Sequence, residues 1–391
     1  MPTTAPALTG VIGHRWRAEV TSSGGVVPFD GSPRLDWYVA AEDHWHTPAD
    51  EIAVRQQRTA GTPVFETRVR VPDGDVVQRI WSIADSGGLT LLEFTNESSR
   101  AVAVALTRGD VLTARPPAVV PIEGIDLPPG SIVVPIAHGT SALVGIRHVG
   151  RGPGLLPPGL PGIDKTVNGW LVLAATASRL ELPDESLSTA VIGERSDVLL
   201  AGPPSVKDDP VGTVLAIVEL VRMGDPAPPW VPDLAHAVEA CASLSGWDAD
   251  AASERAAIVL ARADERRAQR DLERVVARRR AALPAVADPS EPPAGIRLVA
   301  WTERLLCRSG KLLASGLPAS WRGQHFEVFD VPTGPGGTVS YAVRWHGERP
   351  AVLWEQQGDR VTLTAPAVDP SWSSDAERGE ALWQAPERLP A

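Results

Sequence analysis

"PVFETRVRV", residues 63–71, decides how the first half of the chain is read. Val64, Glu66, Arg68 and Arg70 fall on one side of an extended backbone, and Phe65, Thr67, Val69 and Val71 on the other. Alternation with period two marks a strand with one face toward a core. Its neighbours repeat the theme. "GDVVQRIWSIAD" (74–85) and "LTLLEFTN" (89–96) are rich in β-branched and aromatic residues, "NESSR" (96–100) supplies a turn, and "AVAVAL" (101–106) returns. A further pair, "LPPGSIVVPIAHGTSALVGIRHV" (127–149), follows a Pro-Pro-Gly turn. Short strands separated by turn residues predict a large N-terminal β-sandwich over residues 8–206. The Pro/Gly-rich "GRGPGLLPPGLPG" (150–162) reads as a loop inside it, and "GWLVLAATASRLEL" (169–182) as a late strand.

The pattern changes at residue 207. Asp209 suits an N-cap and Pro210 the first helical position of "VGTVLAIVELVRMG", which Gly224 ends. That segment is apolar nearly all round, which predicts a buried helix. A second helix is expected from Asp233 to Gly246 and a long third one from Asp250 to Leu283. "PAVADPSEPPAG" (284–295) reads as a linker closing a short helical region, 207–294. Residues 295–391 open with a helical face, Leu298, Trp301, Leu305 and Leu306, and then return to strands as a small C-terminal β-module. The fold class expected is therefore α+β.

Composition narrows the function. With 391 residues, two or three cores fit. The 35 glycines and 37 prolines lie between apolar runs, which favours turns over disorder. The net charge of −11 argues against a nucleic-acid partner. Cys241 and Cys307 are the only cysteines, too few for a disulfide framework or a cysteine-rich zinc site. No apolar run reaches the roughly 20 residues of a membrane span, and "MPTTAPALTG" has no leader pattern, so the expectation is a cytoplasmic chain without membrane contact. The nucleophile elbow, the phosphate loop and the dinucleotide fingerprint are all missing, and no cofactor is expected.

"LPASWRGQHFEVFDVPT" (317–333), "VSYAVRWHGERPAVLWE" (339–355) and "LTAPAVDPSWSSDAERGEAL" (363–382) resemble the C-terminal β-module of bacterial six-hairpin glycosidases, the glucoamylase-like and glycogen-debranching-like proteins. "DWYVAAEDHW" (36–45) and "LLEFTNESSRAVAVAL" (91–106) look like the β-sandwich that precedes their barrel. The resemblance implies carbohydrate chemistry, yet the catalytic unit of that family is an (α/α)6 barrel of twelve helices. Twelve helices need roughly 200 residues, about twice what 209–312 supplies. The family's acid and base sit on barrel loops, so no catalytic residue carries over. The resemblance thus implies a non-catalytic, carbohydrate-associated binding or assembly protein. A glycoside hydrolase with a compact carboxylate site and a protein-interaction scaffold without sugar affinity remain as rivals, with a glycan, a protein partner or a second copy as the corresponding partners.

Candidate site residues cluster in the hairpin 341–355. With "GER" as its turn, His346 stands opposite Pro350, Arg344 opposite Val352 and Ala342 opposite Trp354. Trp345 and Trp354 then lie on opposite faces. One packs in the core, while the other is free to stack on a sugar ring beside Arg344, His346, Glu355 and Trp372. His44 and His46 in "EDHWHTPAD" (42–50) share a strand face, but Asp43 is expected to point away, leaving a pair without a third ligand. Arg262, Arg266, Arg270, Arg274 and Arg278 recur every four residues among carboxylates, as a solvated face does. Asp369, Glu377 and Glu380 are read as turn and cap residues, with an acid pair as the alternative.

Overall fold

Alternation along 65–71 makes a strand, and strand after strand of the same kind makes a sheet. The computed structural model describes residues 7–117, 123–284 and 286–385. The leader reading of residues 1–6 lies outside them. The fold is α+β, in two units, one up to Trp170 and one from Leu171 onward.

The first unit is a β-sandwich. Its largest sheet has seven strands, in the order Gly154–Leu155, Leu112–Thr113, Ser141–Arg147, Leu89–Asn96, Gly74–Ile83, Phe65–Val71 and Arg55–Arg58. Phe65 pairs with Ile80 and Ile80 with Leu92, so the expected apolar face runs straight across the sheet. That face packs with Trp37, Val39, Val104 and Leu106 of a four-stranded sheet and with Ala18, Val20 and Val26 of a three-stranded one. The reverse face is apolar too. Trp81, Leu91 and Leu112 lie under Leu156 and Leu160 of the Pro/Gly-rich loop and under Ile163 and Val167. Trp81 Nε1 donates to Pro161 O at 3.2 Å, which fastens the loop down.

Seven α-helices occur among the described residues: α1 (Ile163–Ala175), α2 (Glu185–Ala201), α3 (Pro210–Arg222), α4 (Val231–Cys241), α5 (Trp247–Arg262), α6 (Arg266–Ala282) and α7 (Arg297–Leu306). Four of them correct the sequence reading. The first half of "GWLVLAATASRLEL" is helix, with Trp170 and Ala174 buried four residues apart, and only Arg179–Glu181 is strand. A continuous apolar run cannot separate the two states by periodicity alone. α2 occupies ground assigned to the sandwich, with the Asp184 carboxylate capping it by accepting from Leu187 N at 3.1 Å. The long third helix is two, because Asp264 adopts a left-handed φ of 53° between α5 and α6.

α3 begins as expected, with Asp209 accepting from Gly212 N at 2.9 Å and Pro210 following. All but Pro210 of its residues are buried, and it packs against α2, α4, α5 and α7. Beside this helical core lies a second one, built on a five-stranded sheet in the order Arg179–Glu181, Phe326–Pro332, Gly337–His346, Arg349–Gly358 and Arg378–Leu382. The linker 284–295 is pinned at its described residues: Pro289 O accepts from Trp301 Nε1 and Asp288 pairs with Arg304, both on α7. The helices from α2 onward and the C-terminal strands therefore belong to one unit.

Candidate functional site

The hairpin turns on two residues. Tyr341 pairs with Trp354, Val343 with Val352, Trp345 with Pro350 and His346 with Arg349, leaving Gly347 and Glu348 at the tip. Gly347 has φ 63°, the left-handed value a two-residue hairpin asks of glycine at its first position. The three-residue "GER" turn was wrong by one residue, and a slip of one moves a whole strand's side chains to the other face. His346 thus faces Arg349, and Arg344 faces Ala351. Trp345 and Trp354 share the core-side face with Tyr341, Val343 and Val352.

That face is closed to ligand at Trp354. The Trp354 indole packs edge-on against Trp372 at 5.2 Å, and Trp372 against Trp383 at 5.4 Å. Trp354 Nε1 donates to Ala376 O at 3.3 Å, and Tyr341 OH donates to Leu306 O at 3.0 Å. Gly379 sits across from Trp354, where an added Cβ would lie 2.6 Å from the indole. Trp345 is half-buried at the hairpin end and donates through Nε1 to Gln324 O at 2.9 Å. His346 is exposed beside the turn.

The opposite face of the same sheet carries the other two candidates. Arg344 is ion-paired with Glu327, and Glu355 is exposed across from Arg378. Beside Glu355 and Glu327 lies a broad, shallow depression of about 540 Å³. Its floor is Ala342, Leu353 and Phe329, with Leu353 45% exposed, and its rim carries Glu327, Ser340, Glu355, Arg378 and Glu380. The Arg179 guanidinium stacks over the Phe329 ring at 3.9 Å and stiffens one edge. Asp369, expected in a turn, is instead the buried first residue of the strand Asp369–Ser374, and its carboxylate accepts from Ser371 N, Ser371 Oγ and Gln384 N.

His46 is buried on the strand Trp45–His46, and His44 is exposed on the turn before it, their rings 4.1 Å apart. Asp43 does not point away: its Oδ1 lies 3.1 Å from His46 Nε2 and its Oδ2 3.1 Å from His44 Nδ1.

The most heavily built polar cluster was not found from the sequence. Glu219 and Glu303 are buried among Arg195, Arg222 and Arg255. Arg195 reaches Glu219 Oε2 and Glu303 Oε1, both at 2.8 Å, and donates to Ser178 Oγ at 2.7 Å. Arg222 donates to Glu303 Oε2 at 2.8 Å and to Ala177 O at 2.7 Å, and Arg255 meets Glu303 Oε2 at 2.7 Å. Burial alone would push the Glu303 pKa up, but the Arg222, Arg255 and Arg195 charges outweigh it and hold the carboxyl well below its usual range. Arg222 is held firmly protonated, since Glu219 and Glu303 overcome the burial that opposes its charge. A signal was present: charged residues at 219 and 222 of an otherwise apolar helix require buried partners.

A comparison with protein-family models gives no match, and no curated protein matches the chain.

Proposed function

We propose that the chain is a non-catalytic, carbohydrate-binding protein, and that the outer face of the C-terminal five-stranded sheet is its glycan surface. The observation that carries the reading is the shallow depression around Leu353. An apolar floor of Ala342, Leu353 and Phe329 suits the C–H face of a pyranose, and the rim offers acceptors on Glu355 and Glu380 and a fork of donors on Arg378. The tryptophan platform gives way to this aliphatic floor, because Trp354 is taken up in the core. A hydrolase would need one carboxyl kept protonated near neutral pH. Glu303 is held ionised by the guanidinium groups around it, and Glu219 is ion-paired to Arg195 and Arg222. No helix among the described residues is long and apolar enough to cross a membrane. The free, buried thiols of Cys241 and Cys307, pushed by burial up to about 11 and about 12, suit the reducing cytoplasm where we place the chain.

A glycan-array screen of the purified chain, repeated with Glu355→Ala and Arg378→Ala, tests the reading. Binding that both variants weaken while melting as the parent does is the expected result. An array without hits, or hits indifferent to both substitutions, would sink it. One observation favours a protein-interaction scaffold instead: an apolar groove of about 630 Å³ between α4 and α6, lined by Leu234, Val238, Leu272 and Val275.

A further inference from the structure

The edge of the four-stranded sheet in the first unit holds a compact group of imidazoles and carboxylates within nine residues. The strand Trp37–Ala40 pairs antiparallel with Trp45–His46, Ala40 facing Trp45 and Val39 facing His46. Ala41 N donates to His44 O at 3.2 Å, closing a turn that folds Asp43 and His44 back over His46. On the far side, Asp50 N and Glu51 N both donate to Thr47 O, and that second turn brings Glu51 up to the same ring. His46 is therefore gripped at both nitrogens, by Glu51 Oε1 at 3.0 Å on Nδ1 and by Asp43 Oδ1 at 3.1 Å on Nε2.

We propose that Asp43, His44 and His46 form a binding site for a first-row divalent metal ion such as Zn²⁺, with Glu51 orienting His46. One donor atom from each of the three ligands lies within 4.8 Å of the other two. An ionised Glu51 carboxylate only accepts, so in the neutral ring Nδ1 carries the hydrogen and Nε2 keeps its lone pair. This carboxylate–histidine support is what fixes tautomer and ring direction behind a ligating imidazole. The Nε2 lone pair then faces an Asp43 oxygen at 3.1 Å, and His44 Nδ1 stands 3.1 Å from the other oxygen of the same carboxylate. Lone pairs that close call for a proton or a metal cation between them, and an ion in place of the proton gains His44 as a further donor. Tetrahedral zinc, with bonds of about 2.0–2.1 Å, sets its ligands roughly 3.3 Å apart, near the 3.1 Å of the two imidazole–carboxylate contacts. Two imidazoles and one carboxylate suit zinc, nickel or copper and not calcium or magnesium, which take oxygen ligands. His44 and Asp43 are exposed, so the ion has a path in from solvent.

The site is independent of the sheet face proposed for glycan. Calorimetric titration of the untagged full-length chain with Zn²⁺, and absorption spectra with Co²⁺, test it. One equivalent of Zn²⁺ should bind, unaffected by excess Ca²⁺, and Co²⁺ should give the intense visible bands of a tetrahedral site. His44→Ala, an exposed position, should weaken Zn²⁺ at least tenfold with the melting curve unchanged. Glu51→Gln, acting through His46, should weaken it about 10–100-fold. A parent chain that takes up no Zn²⁺ overturns the proposal, and so does binding that His44→Ala and Asp43→Asn both leave unchanged.

Discussion

At the scale of single residues, the two hairpin tryptophans no longer play complementary parts. Trp354 is 7% exposed in a three-indole cluster, while Trp345 sits half-buried at the frayed end. Trp354→Ala should cost about 3–5 kcal/mol, as large aromatic truncations in cores do, and Trp345→Ala no more than about 1 kcal/mol. Thermal melts of the two variants check this; equal losses would contradict the difference in their burial. His148 offers a second test. Its ring stacks on Trp16 at 4.0 Å, and Thr90 Oγ1 lies 2.9 Å from its Nε2. Burial, aided by the nearby His14, lowers its pKa to about 4. The folded chain therefore resists a proton that the unfolded chain accepts below pH 6.5. This contribution is whole above pH 6.5 and is lost as the pH falls toward 4, on the order of 2 kcal/mol after solvent screening. His148→Gln should flatten that part of the stability profile in urea titrations at pH 7, 6, 5 and 4.5. A profile unchanged from the parent would show that His148 is not the group responsible.

At the scale of elements, α6 shows how far periodicity carries. Its arginines at 266, 270, 274 and 278 are exposed, as the interleaved carboxylates implied. Arg262 belongs instead to α5 and donates to Val221 O at 2.7 Å. Arg279, outside the every-fourth series, is buried against Asp250 and Leu244 O. Replacing Arg266 and Arg270 by glutamine should change stability by well under 1 kcal/mol. Arg279→Gln should cost about 2–3 kcal/mol, because Asp250 is left partly buried without its ion pair. Denaturant midpoints would separate the two cases, and equal shifts would refute the distinction. The same contrast explains what was legible. Elements with strict alternation, such as 65–71, or with explicit caps, such as Asp209-Pro210, stood out in the sequence. α1 did not, because an unbroken apolar run has no phase. The turn at Gly347-Glu348 was missed by one residue, since "HGER" fits a two- or three-residue loop and only the strand pairing decides. Of the candidate site, Glu355 and Arg344 were legible as strand residues. The depression that Glu355 borders needs Glu327, Phe329 and Glu380 from other strands, which no local pattern brings together.

At the scale of the whole molecule, composition foretold an α+β fold with a sandwich first and strands last. It did not foretell that residues after 171 cohere around a polar centre. The Glu303→Gln variant should lose about 3–5 kcal/mol, the cost of removing one member of a buried charge network. Calorimetry on the full chain would read it in the transition of the second unit, with the first as an internal reference; a loss below 1 kcal/mol would mean the network is dispensable. That network also limits how this chain can be divided. Arg195 comes from α2, Glu219 and Arg222 from α3, Arg255 from α5 and Glu303 from α7, so a cut anywhere between residues 202 and 296 parts buried charges from their partners. A fragment boundary drawn by composition at 206 would yield two pieces that are soluble only together. Complementation of separately expressed halves, and not autonomous folding of either, is the behaviour that five buried ionic groups impose on such a chain.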